Sequence, residues 1–306
     1  NERQIVLAGI AAIGDVMAMR KETRAIVRQC IAILNEKKVR CIQLLANDSS
    51  PWDETKIAFQ VVPKLNVTGR LADKANANNT VRYLLSDNGA LLMNMAAQIS
   101  DLNTLRKTMS EQMSQTALEK ADRSRAFLVI CDPSFHEGIV GLVAGKLCEQ
   151  LGKPCMVLAE KGAQCRGSIR APKGMDLSTF FDGLDCLSEY GGHAQAAGIG
   201  FAMIDLPKVI RYVEQKMRET PLQEQTEQAA IAVSEDMLTL REVSSLDVLR
   251  PFGNGFEEPL FCIAHPQIVD SRTLSNDKHM KWRTASGMEL LYFNPGARMQ
   301  ELKNGD

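Results

Sequence analysis

The segment from Tyr190 to Gly198 contains the residue types that a phosphate or sugar site would use. Gly191 and Gly192 stand directly before His193, and small residues follow. Because glycine has no Cβ, two in a row let a backbone come close to a ligand whose oxygens accept from main-chain N–H groups. His193 would then reach the ligand itself. A tight turn with a half-buried histidine fits the same residues, and both interpretations stay open on this segment alone.

Two further segments have the composition of an anion site. His136 and Gly138 come just before a predicted helix, whose N-terminus offers free N–H groups and the positive end of the helix dipole. Ser168 and Arg170 are two residues apart, which places them on one face if the segment is a strand. We therefore expect Ser168 and Arg170 to hold consecutive phosphates.

Asparagine and arginine occur together in residues 63–71. Arg70 can clamp a phosphate through two parallel hydrogen bonds, and Asn66 offers both a donor and an acceptor. We predict a loop that Pro63 stiffens at one end and Gly69 loosens at the other. An ordinary surface turn is the alternative.

Asp15 ends an apolar run that begins at Ile5. A carboxylate in this position fits the C-terminal edge of a sheet, where ligands collect. Mg²⁺ and Mn²⁺ favour carboxylate oxygens. From the residues alone, an aspartate that caps a helix or sits in a turn is the favoured interpretation.

Aromatic residues among basic ones near the C-terminus suit a single nucleic-acid strand, because every base presents a π-face. Trp282 stands between Lys281 and Arg283 and is the candidate for stacking. Phe252 and Phe261 are instead expected to lie in a core.

Several segments together resemble one known family. Residues 136–141, 167–170 and 190–198 occur in the order found in the DHH-associated domain of DHH phosphoesterases, which they resemble. Residues 63–71 resemble a motif of RecJ-type single-strand exonucleases, and residues 249–261 are similar to the entry to their OB-fold. Five motifs in family order across nearly the whole chain make the resemblance specific.

The resemblance implies a metal-dependent enzyme that removes nucleotides from single-stranded DNA in the 5′→3′ direction, in repair and recombination. Asp15 would be its catalytic, metal-binding aspartate, with two Mn²⁺ or Mg²⁺ ions as cofactors. Single-stranded DNA is the implied partner, with a single-strand-binding protein or a helicase as further candidates. The residues expected to grip the strand are Asn66, Arg70, His136, Gly138, Ser168, Arg170, Gly191, Gly192 and His193, to which the aromatic pattern adds Trp282.

The chain departs from the family in two places. Its 306 residues contain neither the Asp-x-Asp motif nor the Asp-His-His triplet that holds the other metal ligands. We interpret the chain as a C-terminal fragment that binds DNA and is inactive alone. One alternative is a DHH phosphodiesterase acting on small nucleotides or oligonucleotides, which would ordinarily lack residues 63–71 and the OB-like tail. Another is a non-catalytic single-strand-binding module, which the missing motifs favour.

Composition narrows the class of protein. A net charge of −1 excludes a long-range attractive field for nucleic acid, so any DNA binding must come from local basic grooves. The eight cysteines show no Cys-x-x-Cys spacing, and there is no signal peptide or membrane-length apolar run. This pattern predicts reduced thiols and a cytoplasmic location without membrane contact. Apolar neighbours predict core positions for Cys131, Cys155 and Cys262.

Hydropathy patterns and the resemblance together predict an α/β chain. We expect the end of a DHH domain over 1–88, a connecting helix over 89–124, a DHH-associated substrate-binding α/β domain over 125–220 and an incomplete OB-like β-barrel over 229–306.

Finer patterns refine this outline. Residues 90–121 lack glycine and proline and follow a heptad-like pattern that Arg106 interrupts. A parallel strand–helix–strand unit is predicted over 126–159. Residues 218–228 read as a polar linker. One helix face carries basic residues, and solvent exposure is favoured there over phosphate contact: Arg20, Lys21, Arg24 and Arg28.

Overall fold

The computed structural model describes residues 1–220, 229–275, 278–293 and 295. Contacts divide the chain into two compact units. The first unit combines residues 1–39, 48–62 and 227–306, and the second combines 40–47 and 63–226. No helix in the described ranges is long and apolar enough to cross a membrane. The domain boundaries drawn from the sequence remain a prediction, and most of the predicted linker lies outside the described residues.

The chain forms an α/β structure. The helices, in chain order, are α1 (Glu2–Gly14), α2 (Lys21–Glu36), α3 (Arg40–Gln43), α4 (Glu54–Lys56), a π-helical turn (Ile57–Val61), α5 (Val62–Arg70), α6 (Asn78–Leu85), α7 (Gly89–Lys120), α8 (Glu137–Leu151), a 3₁₀ turn (Met203–Asp205), α9 (Leu206–Glu219), a 3₁₀ turn (Glu235–Met237), α10 (Leu240–Ser245) and a 3₁₀ turn (Leu246–Leu249). The strands are β1 (Leu128–Asp132), β2 (Cys155–Lys161), β3 (Gln164–Arg170), β4 (Leu187–His193), β5 (Ala196–Ala202), β6 (Ile231–Val233), β7 (Phe261–Ile263), β8 (Ile268–Leu274), β9 (His279–Thr284) and β10 (Glu289–Phe293).

The second unit is built on a five-stranded sheet in the order β1-β2-β3-β5-β4. Strands β1 and β2 are parallel, as the sequence predicts, and the remaining pairs are antiparallel. Helix α8 connects the two parallel strands, and Gly152 ends it in the left-handed conformation at φ 64°. An apolar core that includes Met156, Leu158, Phe201 and Val213 lies between the sheet and its helices.

Helix α7 confirms the continuous helix predicted from the absence of glycine and proline. Asn88 caps its first turn by accepting from the N–H groups of Ala90 and Leu91, both at 3.1 Å. Its buried stripe includes Leu92 and Ile99, and it also includes two polar residues, Asn103 and Ser114.

The first unit contains α1, α2 and the C-terminal strands. Strands β8, β9 and β10 form an antiparallel sheet, and β6 pairs with β7 in parallel. Within the described residues these strands form a three-stranded and a two-stranded sheet rather than a closed barrel. Phe252 is buried as predicted, whereas the predictions that Phe261 and Cys262 lie in a core are wrong. Both belong to the short pair β6–β7, and both are exposed.

One local prediction is confirmed and one is wrong. The apolar run before Asp15 is helix α1, so Asp15 lies at a helix end, as favoured from the residues alone, and not at a sheet edge. Continuous apolar runs do not distinguish buried strands from buried helices. Residues 63–70 form part of helix α5 instead of a loop, and Pro63 lies just after the π-helical turn Ile57–Val61, in a helical segment that is continuous from Glu54 to Arg70.

Candidate anion-binding site

The N-terminus of α8 is organised by His136. Its Nδ1 accepts from the N–H of Gly138 at 3.1 Å, which caps the helix. Its Nε2 lies 3.0 Å from Oδ1 of Asp73. Since Nδ1 accepts, we assign the proton of the neutral ring to Nε2, which donates to Asp73. That bond, above the other causes, lowers the pKa of Asp73. His136 therefore joins the residues after α5 to α8 through both ring nitrogens.

Gly138 allows the C-terminal end of α5 to contact the first turn of α8. A Cβ at Gly138 would lie 1.7 Å from the carbonyl oxygen of Arg70, a distance that real atoms do not adopt. One turn further, a Cβ at Gly141 would lie 3.2 Å from Nη2 of Arg170 and 3.3 Å from Oγ of Ser168. The same end of α8 therefore meets the Arg70 backbone and the side chains of Ser168 and Arg170.

Ser168 and Arg170 share one face of β3, as the sequence predicts. Nη1 of Arg170 donates to Oγ of Ser168 at 2.5 Å and to the carbonyl oxygen of Ile169 at 2.8 Å. Ser168 Oγ donates to the carbonyl oxygen of Ala197 at 3.3 Å. The two side chains thus form one joined polar group beside the helix N-terminus.

The electrostatics of this group favour an anion. Burial lowers the pKa of Arg70. Burial, followed by the charge of Arg70, lowers the pKa of Arg170. Within the described ranges, neither guanidinium forms an ion pair with a carboxylate, so each carries an uncompensated charge. A phosphate that accepted hydrogen bonds from both would offset the cost of burial and their mutual repulsion.

The glycine–histidine segment is the strand β4 of a hairpin with β5. Gly191 pairs with Gly198, and His193 pairs with Ala196 at the end of the hairpin. A Cβ at Gly192 would lie 2.2 Å from the carbonyl oxygen of Ala196. His193 is exposed, which contradicts the half-buried alternative.

A cavity of about 600 Å³ connects this hairpin with α8. Gly191 and Tyr190 line it together with Glu137 and Val140 of the helix. Asn66 is exposed on α5, one helical turn before Arg70. The second unit therefore brings Arg70, His136, Gly138, Ser168 and Arg170 together at α8, with Gly191 on an adjoining cavity.

Asp15 belongs to the first unit, where it ends α1 and is exposed. The next residue, Val16, adopts φ 53°, which is unusual for a β-branched side chain. Asn254 fixes this turn, because its Nδ2 donates to Val16 O at 3.0 Å and its carbonyl accepts from Met19 N at 2.6 Å.

These residues do not by themselves fit a two-metal centre. Across the described part of the chain, no three His, Cys, Asp or Glu side chains come together as metal ligands. Asp15 would supply one carboxylate, and a stable site for Mn²⁺ or Mg²⁺ needs several oxygen ligands. We therefore assign no reaction step to this chain through a metal.

The basic face of α2 is largely exposed, as the sequence predicts, but two of its arginines also bind another segment. Nη2 of Arg24 donates to Leu249 O at 2.5 Å, and Nη2 of Arg28 donates to Arg250 O at 3.2 Å. The guanidinium of Arg24 also lies 4.2 Å from the ring centroid of Phe256. This face thus binds the segment after α10 through backbone acceptors, although Arg20 and Arg28 stay exposed. No sequence pattern indicated these backbone acceptors.

Trp282 lies on β9 and is half-buried. Successive side chains of a strand point to opposite faces, so Lys281 and Arg283 do not flank the indole on its own face. Both cations lie near Glu289, at 2.7 and 3.5 Å. The ring of Tyr292 is 6.5 Å from that of Trp282. Stacking of a base on Trp282 stays a prediction.

Comparison with known proteins matches two parts of this chain to domain families. The model of the DHHA1 domain matches residues 124–219, and that of the RecJ OB domain matches residues 230–306. A crystal structure of RecJ from Thermus thermophilus with Mg²⁺ matches 96% of this chain and 47% of its own, with a TM-score of 0.84 at 26% identity. The chain is of the RecJ type.

Two curated RecJ proteins extend the comparison. The Bacillus subtilis protein is 27% identical over 98% of this chain, and the Thermus thermophilus protein is 27% identical over 95%. These matches cover 39% and 42% of the two relatives, so the chain spans less than half of their length. Both are named single-stranded-DNA-specific exonucleases. A second Thermus thermophilus RecJ structure contains Mn²⁺.

The residues of the candidate anion site lie before and within the DHHA1 match, whereas Trp282 lies in the other matched domain. His136, Gly138, Ser168 and Arg170 lie inside the DHHA1 match, and Arg70 precedes it. Trp282 lies inside the RecJ OB match. The second unit thus joins residues from before and within the DHHA1 domain into one site.

Proposed function

We propose that this chain binds single-stranded DNA, with a backbone phosphate held between Arg70, Arg170, Ser168 and the N-terminus of α8. The observation that carries the proposal is the joined pair Arg170–Ser168 beside a second half-buried guanidinium, that of Arg70, with no carboxylate partner among the described residues. A helix N-terminus adds N–H groups and dipole to the same position.

In a longer protein, the same site would feed the strand to a 5′→3′ exonuclease that depends on Mn²⁺ or Mg²⁺ and works in repair or recombination. The names of the relatives support this reaction class. Asp15 would contribute one metal ligand, and carboxylates outside this chain would contribute the others. A single-strand-binding protein or a helicase would be the protein partner. Alone, the chain would bind the strand without cutting it.

A binding assay tests the proposal. We expect the purified chain to bind a 5′-labelled dT oligonucleotide in fluorescence anisotropy, and to bind a duplex of equal length more weakly. Arg170→Gln should weaken binding by about 1.5–3 kcal/mol, the scale of a hydrogen bond to a charged group. Arg211→Gln is the matched control, because Arg211 is an exposed arginine on α9 of the same unit.

The outcomes test separately whether the phosphate site exists and whether the chain alone cuts DNA. Equal affinity of Arg170→Gln and wild type, with unchanged circular dichroism, would contradict the phosphate site. The same samples with Mn²⁺ should contain full-length oligonucleotide after incubation. Loss of terminal nucleotides would show instead that this chain is a complete nuclease.

A further inference from the structure

Arg106 is an unusual residue in the buried stripe of α7. It interrupts the heptad-like apolar pattern, and its side chain is half-buried. Nη2 donates to Oδ1 of Asn103, one turn earlier, at 3.0 Å. Its Nε is buried and has no hydrogen-bond partner among the described residues. A buried donor without a partner costs free energy unless a group beyond the described residues accepts a hydrogen bond from it.

The surroundings of Arg106 contain further positive charge. Burial lowers the pKa of Arg106, and the nearby charge of Arg70 lowers it further. Arg70 likewise lowers the pKa of Arg170. Helix α7 packs on α8, whose N-terminus meets Arg70 and Arg170. The charge of Arg70 thus acts on both Arg106 and Arg170. No described carboxylate forms an ion pair with any of the three.

We propose that Arg106 is a third phosphate-binding guanidinium, which contacts the backbone of the single strand that Arg70 and Arg170 hold. The inference rests on the proposed function, and it adds a residue from the long helix to that site. The donor for the phosphate is the buried Nε–H of Arg106, which has no hydrogen-bond partner among the described residues. The bond to Asn103, which is itself buried, fixes the direction of the guanidinium.

A purely structural Arg106 makes the opposite prediction for stability. If the guanidinium mainly packs α7 against its neighbours, its replacement lowers the melting temperature in every buffer. If the guanidinium instead binds an anion, it is unpaired in the free protein, and replacement by a neutral side chain removes an unpaired, partly buried charge. The melting temperature in low salt should then stay equal or rise, while stabilisation by added anion should shrink.

The experiment compares Arg106→Gln, Arg106→Lys and Lys107→Gln in the full chain. Lys107 is the matched control, because it is the neighbouring cation on α7 and is exposed. We expect Arg106→Gln to weaken binding of a dT oligonucleotide about tenfold or more, with partial recovery in Arg106→Lys. Lys107→Gln should change affinity about twofold at most. Arg106→Gln should also lose most of the sulfate-dependent rise in melting temperature.

Double substitution tests whether the guanidiniums share a ligand. Arg70→Gln with Arg106→Gln should cost less than the sum of the single effects, because residues at one phosphate are coupled. Wild-type affinity of Arg106→Gln, while Arg170→Gln loses affinity, would overturn this inference and leave the proposed function intact. Failure of the wild-type chain to bind DNA would overturn the proposed function. Sulfate-dependent melting would then still decide whether Arg106 binds an anion.

Discussion

At the scale of single residues, the close approach of backbone atoms at Gly138 controls the site. The carbonyl oxygen of Arg70 occupies the space that a Cβ at residue 138 would fill. The glycine at 138 therefore determines how close the backbone of Arg70, and with it the Arg70 side chain, lies to α8. Charge and hydrogen-bonding capacity were visible in the sequence at Arg70, Ser168 and Arg170. The contact that unites them was not, because a glycine in sequence does not tell which atom lies against it.

Two glycines of α8 allow a paired test of this idea. Gly138→Ala should destabilise the chain by about 1–3 kcal/mol, since the backbone of Arg70 must move, and DNA affinity should fall with it. Gly145→Ala should be neutral or stabilising by up to about 1 kcal/mol, because its nearest neighbour is Arg170 Cγ at 3.9 Å and alanine favours helix. Urea denaturation measures both. A Gly138→Ala variant as stable as Gly145→Ala would show that α5 and α8 are not in contact there.

At the scale of elements, Asp132 joins the end of α7 to the end of β1. Its carboxylate accepts from Lys120, the last residue of α7, and from the N–H of Ser134 at 2.8 Å. The Lys120 bond and then those of Ser134 lower its pKa to about 2. A folded-state pKa below the unfolded value stabilises the fold above about pH 4, and that contribution disappears as pH falls towards 2.

Asp132→Asn should therefore cost about 1–2 kcal/mol at neutral pH, a value reduced because Lys120 is half exposed. The difference from wild type should shrink between about pH 4 and pH 2. Urea midpoints across that range measure it. Asp101→Asn provides the control, since Asp101 is an exposed carboxylate on α7, the helix that carries Lys120. A constant difference at all pH values would mean that packing, not the charge, explains the cost.

The elements also explain which sequence predictions succeeded. The length of α7 could be predicted because a long run without glycine or proline favours one continuous helix. The β1–α8–β2 unit could be predicted because Gly152 marks the end of a helix between two apolar runs. Residues 63–70 and the run before Asp15 could not, because both patterns are compatible with helix and with other structures. Contacts between distant segments, such as Arg24 with Leu249, leave no periodic trace in the sequence.

At the scale of the whole molecule, the net charge of −1 means that binding must come from a few concentrated cations. Three guanidiniums, those of Arg70, Arg106 and Arg170, share the second unit and have no described ion pair. Each phosphate neutralised on a single strand releases counterions, so the logarithm of affinity falls linearly with the logarithm of salt concentration.

The slope of that line counts the contacts. Single strands give about −0.7 per neutralised phosphate, so one phosphate shared by the three guanidiniums predicts a slope near −0.7, and each further phosphate would add about −0.7. Arg170→Gln should make the slope shallower, by at most about 0.7, whereas Arg211→Gln should leave it unchanged. Titrations of a dT oligonucleotide at several NaCl concentrations give both values. A much steeper wild-type slope would mean that many dispersed cations bind the strand, and a slope near zero would mean that base contacts, not phosphates, hold it.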